Sequence, residues 1–242
     1  MILFFDEIKD SHNCGGKALS LSILERNKLP VPAGFVILPS AFGKSGLKTE
    51  FEKEILEYAE KTVKGKDSLF AVRSSAASED SPDHSFAGEF DSLLNIKPDD
   101  LISAVNSVYA SRLNERAANY SRSRKIESDM EMAVIVQKMI LADYAGVLFS
   151  ADPVSGNYEN MTGNFVEGLG EALVSGEKNP EVFTLKRFCG TYNGPKKLHS
   201  SAKKMYKAMH RIEKIYEHWG EEGSKEGNPF TERYVEFKNS LP

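Results

Sequence analysis

Lys17 stands behind two glycines in "GGKALSLSILER", where a helical pattern begins, and Arg73 closes a short apolar run in "FAVRSSAASED". Both placements suit an anion. The first turn of a helix carries unpaired amide donors and a partial positive charge, so glycines and an ammonium at its entrance can receive one. An arginine held at a strand end offers five donors in a rigid fork that matches phosphate oxygens bidentately. The stretch after it, with Ser74, Ser75, Ser78, Ser85 and Gly88, supplies hydroxyls and bare amides able to wrap a polyanion. Taken singly, each feature has a plainer reading: a glycine turn before a solvated lysine, an arginine in a surface ion pair, a flexible polar turn. The glycine spacing is not that of a P-loop.

Other reactive residue types do not form constellations. Cys14 and Cys189 lie far apart without a CxxC spacing and read as reduced thiols, neither a disulfide framework nor a zinc site. The five histidines, His12, His84, His199, His210 and His218, lack metal-ligand spacing; His84, inside the serine-rich stretch, reads as solvent-facing. Glu171 is expected to open a helix, where a carboxylate is stabilising, and Asp152 before Pro153 to sit in a strand-end turn. Near the C-terminus, Glu236 in "RYVEF" is flanked by apolar residues.

These residues need a scaffold, and the chain is long enough to supply one. Its 242 residues include 40% hydrophobic and 27% charged residues, which suits a globular protein with a sizeable core. A formal net charge of −4 argues against general nucleic-acid or anionic-membrane binding, so any basic site must be local. The N-terminus "MILFFDEIKD" has too short an apolar run for a signal peptide, and no segment approaches the roughly 20 apolar residues of a membrane span. A cytoplasmic protein is expected. Helical periodicity runs over residues 18–27, from 49 to 63, from 99 to 125 and from 201 to 219. Strand-like runs occupy residues 35–38, 69–73, 132–140 and 144–153, with a short candidate at 233–237. The mixture predicts an α/β or α+β fold without internal repeats.

Four long blocks then stand out together: "GGKALSLSILERNKLPVPAGFVILPSAF", "FAVRSSAASEDSPDHSFAGEFDSLLNI", "VIVQKMILADYAGVLFSADPVSGN" and "GLGEALVSGEKNPEVF". In content and order they resemble the ATP-binding domain of the phosphoenolpyruvate synthase and pyruvate phosphate dikinase family, which includes rifampicin phosphotransferases. The resemblance implies an ATP-grasp fold of two lobes, one over residues 1–100 and one over 101–242. It implies that Lys17 and Arg73 hold the ATP phosphates, that the loop through Ser85 and Gly88 closes over them, and that Gln137, Lys138 and Met139 form the linker beside adenine. Such a linker makes physical sense, since a strand breaking at a polar residue can offer backbone groups to a purine edge while apolar neighbours pack on its face. Magnesium is the expected ion, and its family ligands lie on an acidic Asp-Ile-Glu-Trp-Ala strand followed by a Gln-x-Arg-Pro strand. Only Glu236 matches the first, and nothing matches the second, so the C-terminal part reads as incomplete. The family's phosphohistidine domain is likewise expected in trans, as the carrier of phosphoryl to pyruvate or another small acceptor, and the chain is expected to be inactive without it. The alternative is a non-catalytic nucleotide-binding or regulatory protein with an inherited fold.

Overall fold

The computed structural model describes residues 1–9, 14–63, 68–76, 92–122, 131–174, 176–223 and 234–237, of which 113–122, 174, 217–223 and 234–237 are described through their backbone alone. Two compact units divide it, Met1–Met139 and Ile140–Pro242.

The first unit is built around one continuous apolar run. β1 (Ile2–Phe4), β2 (Gly34–Ile37), β5 (Phe70–Ala76), β6 (Ser92–Ile96) and β7 (Met132–Lys138) form an antiparallel sheet in the order β1-β2-β7-β5-β6. A central strand covered on both faces has no polar face to display, which is why "MAVIV" shows no alternation. Its residues nevertheless divide by parity. Met132, Val134 and Val136 enter a core with α2 (Glu52–Thr62) and α3 (Leu101–Arg122), whereas Ala133 and Ile135 pack with Cys14 and Ala18 at the start of α1 (Gly15–Arg26). A two-strand hairpin, β3 (Phe42–Gly43) with β4 (Gly46–Leu47), is fastened to α3 where the Leu47 amide donates to Asn106 Oδ1 at 2.8 Å.

The second unit is a second antiparallel sheet, packed against one long helix. β8 (Tyr144–Phe149), β9 (Asn160–Glu167), β10 (Glu181–Lys186), β11 (Tyr192–Asn193) and β12 (Tyr234–Phe237) form an antiparallel sheet ordered β11-β10-β9-β8-β12. α4 (Glu171–Val174) follows β9, and α5 (His199–Gly223) lays Ala202, Met205 and Met209 on Leu148, Met161, Phe165, Phe183 and Leu185. Glycine is required within this sheet at Gly163, where an added Cβ would lie 2.3 Å from the Phe183 ring.

The α+β expectation holds, but the division differs from the expected boundary after residue 100. β7 is inserted between β2 and β5, and α3 covers the same sheet, so both belong with the first unit. Residues 2–4, read only as a short apolar terminus, form an edge strand on β2. As expected, Glu171 opens a helix, and neither cysteine is bridged.

Candidate functional site

In the first unit Arg73 does not end its strand. β5 continues to Ala76, and its side chains alternate: Phe70, Val72 and Ala76 join the α2/α3 core, placing Ala71, Arg73 and Ser75 on the α1 side. Ser74 and Ser75 are therefore not loop hydroxyls. Ser74 is wholly buried toward α2 and α3, where its Oγ has no hydrogen-bond partner. Ser75 is equally buried on the other side and accepts the Ala18 amide at 3.1 Å.

That bond joins the strand bearing Arg73 to the first turn of the helix bearing Lys17. Gly15, the first residue of α1, has φ +75°, and an added Cβ would fall 2.5 Å from the Ser75 carbonyl carbon, carbonyl oxygen and Oγ. Only glycine allows this approach in this conformation. Cys14 at the N-cap makes no side-chain cap bond and the first turn carries no acid, while the Ser75 Oγ accepts the Ala18 amide from outside the helix. Arg73 is half-buried on β5, paired opposite Ile135, and Lys17 is half-buried in the first turn of α1. Gln137 pairs opposite Ala71 and so shares the α1 face. Three residues widely separated in sequence are thus gathered on one side of one sheet.

The end of β7 and the residue after it are more committed internally than a free purine edge would be. Gln137 is 4% exposed and its side-chain amide donates to the Pro32 carbonyl at 3.2 Å. The Lys138 amide donates to the Ala33 carbonyl and the Met139 amide to the Leu69 carbonyl, each at 2.8 Å. Lys138 projects an exposed side chain, and Met139 is buried. Ser85, Gly88 and His84 lie outside the described residues. Glu236 is described by its backbone, in register opposite Ala145 on β8. Among the described residues, no group of three or more His, Cys, Asp or Glu side chains could hold a metal ion.

The second unit holds a polar cluster that sequence reasoning did not anticipate. Arg187 and Glu213 form a buried ion pair at 2.7 Å. The Arg187 guanidinium also donates to the Tyr158 carbonyl at 2.8 Å and to the Ser150 carbonyl, and stacks over the Tyr158 ring at 3.6 Å. The Arg187 carbonyl accepts the Tyr206 hydroxyl at 2.7 Å, and His210 lies between that carbonyl and Glu213 Oε2. The sequence signal was faint: Tyr206, His210 and Glu213 recur at helical spacing on α5, but their partner sits in a turn. Nearby, hydrogen bonds from the Ser155 and Val154 amides hold the Asp152 carboxyl below its ordinary pKa, the role expected of a turn aspartate.

Two antiparallel sheets backed by helices make a mixed α+β protein, an architecture consistent with an ATP-grasp-like domain. The family described as pyruvate phosphate dikinase, AMP/ATP-binding domain, matches residues 38–218, and the chain belongs to that family. It is 36% identical over 209 residues to the prodigiosin synthesizing transferase PigC of Serratia marcescens, covering 76% of this chain and 23% of that protein. It is 45% identical over 124 residues to a rifampicin phosphotransferase of Streptomyces sviceus, covering 50% and 14%. With a probable phosphoenolpyruvate synthase of Methanocaldococcus jannaschii it shares 29% over 232 residues, covering 77% and 20%. The chain spans about a quarter or less of the length of these relatives.

Proposed function

We propose that this chain is the ATP-binding part of a dikinase-type phosphotransferase, in which Lys17 and Arg73 hold the nucleotide's phosphates. The observation that carries this reading is the convergence of Arg73 and the α1 entrance on one sheet face, joined through Ser75, in a chain of this family. Phosphoryl transfer depends chiefly on positioning and charge neutralisation, and two cations with helix-end amides supply both. Relatives named for prodigiosin, rifampicin and phosphoenolpyruvate each match between 50% and 77% of this chain. That supports assigning it the ATP half of the reaction, with acceptor choice lying elsewhere.

The phosphoryl group is proposed to pass to an imidazole nitrogen on a separate domain or subunit, a P–O bond of the triphosphate breaking as a P–N bond forms. A small molecule then receives it. Ser85 and Gly88 belong to the segment proposed to cover the phosphates. Gln137, Lys138 and Met139 are proposed to border adenine, contributing apolar surface rather than the Lys138 and Met139 amides, which are already bonded. Magnesium would be held mainly by the nucleotide's own phosphates, with Glu236 as the protein carboxylate proposed to join them.

Calorimetric titration with Mg-ATP tests the binding step. Arg73→Ala and Lys17→Ala are each expected to weaken binding by at least about tenfold, or ~1.4 kcal/mol. An unmodified chain that takes up no nucleotide would end this reading. Labelled ATP, incubated with the chain and candidate histidine-bearing domains, tests transfer: label on a partner histidine supports it, and label nowhere across a broad set counts against it.

A further inference from the structure

We propose that Ser75 is a positioning residue for the phosphate site, setting the axis of α1 relative to Arg73. This rests on the ATP reading above and specifies how the fold assembles that site.

The argument starts at Gly15. The helix begins with a left-handed residue at Gly15, and the Ala18 amide in its first turn donates to the buried Ser75 Oγ at 3.1 Å, a bond that reaches outside the helix to β5. The contact is close, because a β-carbon added at Gly15 would lie only 2.5 Å from the Ser75 carbonyl and Oγ. Ser75 lies two residues beyond Arg73 on the same face of β5, so roughly 7 Å of rigid strand separates the helix anchor from the arginine. A displacement of the helix entrance is therefore a displacement of Lys17 and the first-turn amides relative to Arg73. In a site whose work is positioning, small displacements of this kind are costly. No comparable bond ties α1 to β5 through Ser74, which faces the opposite core.

The test compares Mg-ATP with AMP, which lacks the two outer phosphates, in the unmodified chain, Ser75→Ala, Gly15→Ala and the double variant. Ser75→Ala is expected to lower ATP affinity by about five- to twentyfold, the range of one lost buried hydrogen bond, with less than about a twofold change for AMP. Gly15→Ala should give the same selective loss, and the double variant should lose far less than the product of the two because both break one contact. Equal losses for ATP and AMP, or full additivity, would overturn the proposal and leave Ser75 a purely structural residue. Failure of the unmodified chain to bind Mg-ATP would instead refute the functional reading on which it rests. Should the variants not fold, amide exchange on the unmodified chain decides. The Ala18 amide is expected to be protected without nucleotide and unchanged by Mg-ATP, while protection at Gly16 and Lys17 rises; an Ala18 amide protected only when Mg-ATP is present overturns the proposal.

Discussion

Ser74 and Ser75 are neighbours on one strand, both fully buried, in opposite circumstances. Ser75 accepts the Ala18 amide, whereas the Ser74 hydroxyl faces the α2/α3 core with no partner. A buried polar group without a hydrogen bond costs about 1–3 kcal/mol of desolvation, and removing it restores part of that. Ser74→Ala is therefore expected to raise stability by up to about 1 kcal/mol in urea titrations. A loss greater than about 1 kcal/mol would show that the hydroxyl is satisfied in solution. Asp152 behaves differently because it is ionised and well served. Its carboxyl is held low by amide and hydroxyl donors, so it contributes stability that is fully present above the unfolded carboxylate pKa and is lost as pH falls through the depressed folded value. Its NMR-detected titration should fall below the ordinary 3.8, and a midpoint at or above 3.8 would contradict the turn geometry.

At the scale of elements, α5 is held to the turn after β10 by a charged contact as well as by its apolar stripe. Arg187 and Glu213 are buried together, and Tyr206 and His210 bond the Arg187 backbone from the same helix. Removing one member strands the other charge in a poorly solvated place. Glu213→Ala is expected to cost about 3–5 kcal/mol, and an Arg187→Met/Glu213→Leu double substitution markedly less than either single change. Chemical denaturation of the three variants checks this, and simple additivity would refute the coupling. Legibility also varied by element. Long helices such as α3 and α5 were plain from periodicity, and β7 and β8 from their continuous apolar runs. β1 was not, because three residues carry no measurable period and become a strand only by pairing with β2. The extension of β5 to Ala76 was hidden for a related reason: serine is a common turn residue, and only burial between two layers turns "SSA" into strand.

For the whole molecule, the order of strands matters more than their order in the chain. β7 lies in the middle of the first sheet although it is the last of that sheet's strands to be made, so residues 1–100 lack its central member. A fragment of residues 1–139 is expected to unfold cooperatively, and one ending at residue 100 to remain largely unstructured by circular dichroism. A cooperative 1–100 fragment would contradict the unit boundary after Met139. Against a formal net charge of −4, Arg73 and the α1 entrance bring cationic and amide donor groups to one face of the first sheet. Among the described residues, no helix is long and apolar enough to cross a membrane.

The sequence by itself determined the mixed fold class, most elements, the family, and the residue types suited to phosphate, because periodicity, glycine placement and long ordered blocks are local properties of the chain. It did not determine which serine of "RSSA" is structural, that Gln137 is spent on Pro32, or that Arg187 meets Glu213. Those facts depend on which strand lies beside which and on the parity of each residue within its strand. Only tertiary pairing decides them, since a shift of one residue in register would move Arg73 and Ser75 to the opposite face.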